Sequence, residues 1–283
     1  MAKVAPLRRS TDRLRGPSRK GGATILQHGR IRARARNPQE VNRFKWVIKD
    51  HKYFRKRSTP GGGPAFVVAA GERWLDVGAN IGFFALTALS EGAASVTCVE
   101  AEAENAIRLR ENLKLNGHGA RQASVLRALV RGRASGKPER LLLSRKTTRH
   151  SVLQVPEAKP DGSEQVVPRV VTLRKLLNEA SFAGRPYNAV KLNIEGAERE
   201  VLLGTTARTW GPSVCKMVVE YSFDVFPKRH DYDALLSHLK ATGWCVFPES
   251  LPAWFRKANA LWDRRKTMGN DARQLWAFRI PKR

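Results

Sequence analysis

The sequence predicts an α/β protein built on a mostly parallel, Rossmann-like sheet with helices on both faces and a basic N-terminal extension. Three observations predict it. Strand-like and helix-like patterns alternate along residues 73–280, as a parallel sheet with crossover helices requires. The apolar run Trp74-Leu75-Asp76-Val77 ends in a glycine-bearing turn, Gly78-Ala79-Asn80-Ile81-Gly82, where a helix starts. A second apolar run closes on Glu100, 22 residues after Gly78. With 283 residues and 42% hydrophobic content, the chain can bury a sizeable core. One domain of about 200 to 230 residues plus an extension is the natural partition.

In order along the chain, residues 1–37 are Arg-rich and acid-poor, with Arg8, Arg9, Arg13, Arg15, Arg19 and Lys20 among Ser10, Thr11 and Ser18. They read either as a flexible arm or as a targeting segment. Residues 38–64 form a basic, aromatic extension and linker. There Phe44, Trp46, Val47, Ile48, Tyr53 and Phe54 interleave with Lys45, Lys49, Lys52, Arg55, Lys56 and Arg57, and Thr59-Pro60-Gly61-Gly62-Gly63-Pro64 closes the segment. Aromatics among cations suit base stacking and phosphate contact; a short helix docking its apolar face on the core is the other reading. The main domain spans 65–283. Its pattern predicts a strand over 73–79, a helix over 82–91, a strand over 95–101 and a helix over 102–116 that stops at Asn116-Gly117. A strand follows over 123–130, with Ala128 and Leu129 at its end beside an adenine. Shorter strands are expected at 141–144 and 166–171 and a helix at 172–180. Tyr187 to Glu198 reads as a strand running through a turn into a helix whose Glu198 and Glu200 face solvent, and Met217-Val-Val-Glu220-Tyr221 as another strand. A helix over 231–242, a strand over 243–248 and a closing strand over 275–280 complete the pattern.

The glycine turn carries the chemistry. Gly78 and Gly82 lack a Cβ, so backbone and ligand can approach there and the next helix can pack close. Ala79, Asn80 and Phe83 stand where a ligand meets the turn and helix start, and Ala101 follows the acid. Glu100, at a strand's carboxyl end, is placed to accept both hydroxyls of an adenosine ribose. A dinucleotide site wants glycine where Asn80 stands, because pyrophosphate comes close. S-adenosylmethionine has no pyrophosphate, and turn amides with a helix N-terminus can hold its carboxylate. It is the predicted cofactor; the bland alternative is a βαβ unit whose glycines serve packing alone.

Composition sets further bounds. The chain carries 52 Lys and Arg against 25 Asp and Glu, a net charge of +27, and the first 60 residues hold 18 basic and 3 acidic side chains. A polyanionic partner is the simplest reason. No apolar run approaches the roughly 18 residues of a membrane span, which predicts a soluble chain without a membrane partner. Cys98, Cys215 and Cys245 are odd in number and sit in apolar runs, so they read as reduced core residues in a reducing compartment. With the Arg-rich arm, this fits a mitochondrion, a plastid or the nucleus ahead of the cytoplasm or secretion. No metal is expected, since neither cysteines nor histidines show ligand spacing.

Asp76-Val-Gly-Ala-Asn-Ile-Gly82, Glu100, Glu111-Asn-Leu-Lys-Leu-Asn-Gly117, Lys191-Leu-Asn-Ile-Glu-Gly-Ala-Glu198 and Val-Val-Glu220 stand in the order found in the FkbM family of S-adenosylmethionine-dependent methyltransferases, which the chain resembles over residues 65–250 or so. The resemblance implies the seven-stranded class I methyltransferase fold with an antiparallel seventh strand, and O-methylation as the commonest reaction. It carries Asp76, Gly78, Asn80, Gly82 and Glu100 to cofactor binding, and Lys191, Glu195 and Glu220 to the substrate side. The family usually has aspartate where this chain has Asn193, and an amide takes no proton at neutral pH.

Methyl transfer is an in-line displacement on an activated sulfonium, so positioning matters most and a base is the one further need. Lys191, Asn193, Glu195 and Glu220 are the catalytic candidates, with Glu195 or Glu220, or a neutral Lys191, as base. A structural ion pair between Lys191 and Glu195 is the competing account. Asn193 also evokes exocyclic-amine methyltransferases, but the two prolines and aromatic that follow there are missing from Ile194-Glu195-Gly196. Residues 251–272 insert Trp254, Phe255, Arg256, Lys257, Trp262, Arg264, Arg265 and Lys266 between the last two strands, as a nucleic-acid contact or a lid. The expected activity is methylation of RNA, on ribose 2′-O or base. The alternatives are a small-molecule or sugar O-methyltransferase, and a catalytically weak RNA-binding factor of a ribonucleoprotein.

Overall fold

The computed structural model describes residues 19–20, 23–134, 136–144, 160–167, 169–179, 185–222, 229–250 and 272–279. The first described elements are β1 (Arg19–Lys20), β2 (Ala23–His28) and β3 (Ile31–Ala35), an antiparallel sheet inside the stretch expected as an arm. Ile31, Ala33 and Ala35 are buried while Arg32 and Arg34 between them are exposed, the period-2 alternation of a strand laid on a core. Helix α1 (Pro38–Phe44) starts with Asn37 as its cap, whose side chain accepts from Glu40 N at 2.9 Å, and a π-helical turn, Lys45–Lys49, continues it.

Strand β4 (Arg73–Val77) places Trp74 on one face of the central sheet and Leu75 and Val77 on the other, all buried. It is followed by α2 (Phe83–Ser90), β5 (Ser95–Glu100), α3 (Ala103–Leu115), β6 (Ala123–Arg127) and β7 (Leu129–Arg131). A hairpin of β8 (Glu139–Ser144) and β9 (Pro160–Val167) precedes β10 (Val170–Thr172), which pairs parallel with β7, and α4 (Leu173–Asn178). Then come β11 (Ala189–Leu192), α5 (Glu198–Leu203), β12 (Lys216–Ser222), α6 (Arg229–Ala241), β13 (Cys245–Pro248) and β14 (Ala272–Phe278).

Seven strands form the central sheet in the order β13-β14-β12-β11-β4-β5-β6. All run parallel except β14, which lies antiparallel between β12 and β13. This is the predicted arrangement, and burial on both faces explains the nearly continuous apolar strands. On one face Leu75, Val77, Val190, Leu192, Met217 and Val219 pack with Leu176 of α4, Val201 and Leu202 of α5, and Leu235 and Leu239 of α6. On the other, Trp74, Val96, Cys98, Val218 and Trp276 meet Phe84 and Leu86 of α2, Leu109 and Leu113 of α3, and Phe44, Val47, Ile48, Tyr53 and Phe54 from the extension. The extension thus docks through its aromatics. Phe44 meets Phe83 edge-on at 5.6 Å between ring centroids, and Phe54 stacks on Phe84 at 5.4 Å.

Three expectations shift. The strand expected over 123–130 is split at Ala128 into β6, in the central sheet, and β7, which pairs with β10. The strand expected over 166–171 is split between β9 and β10. Of the cysteines, only Cys98 is fully buried, Cys215 is partly buried and Cys245, at the start of β13, is exposed.

Candidate active site

The carboxyl ends of β4, β5 and β11, with the backbone after β6, open on a cleft of about 610 Å³ including its mouth. Gly78, Asn80, Glu100, Ala101, Ala128 and Leu129 line one end. The turn is held by Gly78 N and Ala79 N, which both donate to Val99 O, at 2.9 and 3.0 Å. Asn80 sits in the left-handed region at φ 51° and donates its N–H to Glu100 Oε2 at 2.7 Å, while Glu102 N donates to Oε1 at 3.0 Å. Burial pushes the Glu100 carboxyl up to about 7, with those two N–H groups pulling the other way.

The two glycines also serve close packing of the protein itself. Gly78 has φ 76°, and a Cβ there would overlap the carbonyl of Asn193; Gly82 has φ 94°, and its Cβ would collide with Leu109 of α3. Both positions exclude a side chain because protein backbone and helix come close. Gly78 also lines the cleft, but Gly82, Ala79 and Phe83 stand behind it, with Ala79 and Phe83 in the core.

Asp76 is likewise behind the cleft. It is buried opposite Lys191 in the parallel β4–β11 register, and its Oδ1 lies 2.9 Å from Lys191 Nζ. Lys191 Nζ also donates to Gly78 O at 2.7 Å and sits over the Tyr53 ring at 5.6 Å. Burial pushes the Asp76 carboxyl up against the opposing pull of Lys191. This pair fastens the turn to the neighbouring strand, with Lys191 Nζ engaged by Asp76 and Gly78 O. The ion pair expected between Lys191 and Glu195 is therefore replaced by one between Lys191 and Asp76.

The other end of the cleft is formed by Arg43, Asn193, Ile194 and Glu195. Behind them lies a buried node on Glu220 of β12. Lys52 Nζ is 2.7 Å from its Oε1, Tyr53 Oη donates to Oε2 at 2.7 Å, and Asn193 Nδ2 donates to Oε2 at 3.0 Å and to Tyr53 Oη at 3.2 Å. Burial favours protonating Glu220, but Lys52 and Arg43 with these hydrogen bonds hold its carboxyl below the usual range. Burial and the Glu220 charge push the Tyr53 phenol well up. Glu220 is thus an anchor with both oxygens engaged. Asn193 fits where it stands because a carboxamide donates to Glu220 where a second carboxylate would repel it.

Glu195 takes φ 51° and Gly196 φ 108°, two consecutive left-handed residues that turn the chain back into α5. Glu198 staples that turn, accepting from Ile194 N at 2.8 Å and Gly196 N at 3.0 Å. It is buried, not on a solvated face, and burial pushes its carboxyl up to about 8 against those bonds. Glu200 is partly buried and accepts from Gly132 N at 3.0 Å. The turn directs Glu195 to the cleft, where Oε1 is 3.5 Å from Arg43 Nη2. Arg43, Asn105, Val130 and Leu141 line the cleft without having been singled out in the sequence. Asn105 and Leu141 lie in ordinary helix and strand patterns, and Arg43 was one cation among many.

Of the residues expected at nucleic acid, Lys45, Lys49, Lys56 and Arg57 are exposed. Tyr53 and Lys52 are turned inward to Glu220 instead, and Arg55 lies 4.4 Å from the Trp276 ring centroid with Glu249 3.8 Å away. Trp46, between Lys45 and the core residues, is 50% exposed. Trp254, Arg256, Lys257, Arg264 and Arg265 lie outside the described residues. Among the described residues no group of acids, histidines and cysteines is placed to hold a metal, and no helix is long and apolar enough to cross a membrane.

S-adenosylmethionine fits this cleft. Each Glu100 oxygen accepts one backbone N–H and retains acceptor capacity for a ribose hydroxyl. Ala128, Leu129 and Val130 offer an apolar wall for a base. When bound, the cofactor supplies a methyl group on a positively charged sulfur. At the end of the cleft formed by Arg43, Asn193 and Ile194, Glu195 is the lining carboxylate.

A family model described as the methyltransferase FkbM domain matches residues 76–243. No curated protein matches the chain in sequence. Among solved structures, methyltransferase FkbM from Methylobacillus flagellatus KT is 16% identical with a TM-score of 0.44, over 81% of this chain and 49% of that one. TYW2 of M. jannaschii, solved with AdoMet, is 12% identical with a TM-score of 0.43, over 93% of this chain and 89% of that one. An rRNA methylase from Streptococcus thermophilus is 7% identical with a TM-score of 0.41, over 76% of this chain and 90% of that one.

Proposed function

Since the chain belongs to the FkbM methyltransferase family and is an S-adenosylmethionine-dependent methyltransferase, we propose that its acceptor is RNA, methylated on a ribose 2′-O or a base. The observation that carries this reading is the continuity of one segment. Residues 43–57 supply Arg43 to the cleft and Lys52 and Tyr53 to the Glu220 node, and the same segment presents Lys45, Trp46, Lys49, Lys56 and Arg57 to solvent. A polyanion bound by those exposed cations is bound by the same segment that supplies Arg43 to the cleft. A net charge of +27 supports the same class of partner. For a hydroxyl acceptor, Glu195 takes the proton, because Glu220 and Lys191 are committed to buried partners.

The test is methyl transfer from radiolabelled cofactor into total RNA, with a small-molecule extract in parallel. Glu100→Ala is the control, chosen over Asp76 because it touches the cleft without breaking the buried ion pair. We expect label in RNA that disappears in the control. Label confined to the small-molecule pool would replace RNA with a small or sugar acceptor. Label in neither pool, with cofactor binding intact, would assign the chain to RNA binding without turnover.

A further inference from the structure

Among the described residues that line the cleft, Arg43 is the only cation. It comes from the last turn of α1, fixed beside the start of α2 by the edge-on contact of Phe44 with Phe83. Its side chain is 19% exposed and Glu195's 25%, so the two face each other across the mouth of the acceptor end. Their 3.5 Å separation is longer than the roughly 2.7 to 2.9 Å of a close charge-assisted hydrogen bond. Burial disfavours the guanidinium charge, yet the Glu195 carboxylate first, with that of Glu220, more than offsets this. A charged, half-withdrawn guanidinium in a cleft, loosely held by one carboxylate, is an anion site with a stand-in partner.

We propose that Arg43 is an anion clamp: it exchanges Glu195 for a carboxylate or phosphate oxygen of a molecule bound in the cleft, and in doing so relieves Glu195 of its cation. The anion is either the cofactor's own carboxylate or an acidic group of the acceptor next to the methylated atom. The clamp does not require the acceptor to be RNA. A guanidinium presents donors in a planar fork that an ammonium lacks, so Arg43→Lys keeps the charge and loses part of the grip.

The experiment is calorimetric binding to the full chain of S-adenosylhomocysteine, which carries the carboxylate, and 5′-methylthioadenosine, which does not. Inorganic phosphate is then titrated into the methylthioadenosine complex. The proteins are wild type, Arg43→Gln, Arg43→Lys and Glu195→Gln, each with a thermal melt. If the clamp holds the cofactor, Arg43→Gln weakens S-adenosylhomocysteine roughly tenfold or more and leaves methylthioadenosine unchanged. If it holds the acceptor, both nucleosides bind Arg43→Gln as they bind wild type, and phosphate binds wild type but not the variant. In either case Glu195→Gln tightens the anion-bearing ligand, because the competing carboxylate is gone. A purely structural tie between Arg43 and Glu195 predicts instead that both substitutions act in the same direction. The proposal is overturned if Arg43→Gln changes none of the three ligands, if it weakens both nucleosides equally, or if Glu195→Gln weakens the anion-bearing ligand. Should Arg43→Gln not fold, Arg43→Lys and Glu195→Gln decide the question alone.

Discussion

Lys191 and Asp76, two residues singled out in the sequence for substrate and cofactor, are bound to each other in the fold. Both stand in motifs that end strands at the cleft, where catalysis is kept, yet their register makes them partners across β4 and β11. Removing one partner of a buried pair leaves an uncompensated charge, so Lys191→Met costs about 3 to 5 kcal/mol, and Asp76→Asn with Lys191→Met recovers most of it. Urea midpoints check this; equal stability of the single and double variants would refute the pairing. Glu100 offers a second test. Its carboxyl is raised to about 7 by burial, so its contribution to stability is full below about 4.5 and is lost as the pH rises towards 7. Ribose hydroxyls donate to the ionised form, so affinity for S-adenosylhomocysteine falls as the pH drops from about 8 to about 6 around that value. Titrations at several pH values check this, and Glu100→Gln removes the dependence. At this scale the sequence exposed Gly78, Asn80, Glu100, Asn193 and Glu195, because turn glycines and strand-end polar groups have recognisable spacing. It hid Arg43, whose role comes from where α1 docks, and no local pattern encodes that.

The elements of the central sheet were legible because buried parallel strands are apolar throughout and the helices between them end on signals such as Asn116-Gly117. The N-terminal hairpin was not. Its Ile31-Arg32-Ala33-Arg34-Ala35 alternation is a strand signal, but alanine is a weak apolar marker and the arginines dominate the composition. The hairpin and α1 are joined to α3 by polar contacts: Asn112 Oδ1 accepts from Arg34 N at 2.8 Å, and Arg108 donates to both Glu40 oxygens at 2.7 and 2.9 Å. Deleting residues 1–37 as a dispensable arm is therefore expected to lower the melting temperature by exposing Phe44 and its neighbours, whereas an unattached arm would leave it unchanged. Asn37→Ala, which removes the cap of α1, costs about 1 kcal/mol. At the other junction, Gly78→Ala must strain φ 76° and push away the Asn193 carbonyl. It is expected to lose cofactor binding and roughly 1 to 3 kcal/mol of stability, checked by calorimetry and denaturation.

For the molecule as a whole, charge distribution was readable from composition, while the order of strands came only through family resemblance. Charge also sets the behaviour to be expected with RNA. Changing Lys45, Lys49, Lys56 and Arg57 to Gln should flatten the slope of log affinity against log salt by up to about one for each phosphate left without its cation. S-adenosylhomocysteine binding should stay as it is, and an unchanged slope would remove this segment from the RNA path. The Glu220 node has a further consequence for biosynthesis. Lys52 and Tyr53 find their carboxylate 168 and 167 residues later in the chain, and Trp276 donates to Tyr53 O across 223 residues. A nascent chain emerging from the ribosome can therefore pack Phe44 and Phe54 on α2 early, but must carry Lys52 and Tyr53 without their carboxylate until β12 has been made. Such distant contacts form slowly, so the Glu220 node closes only after the rest of the extension has docked on α2.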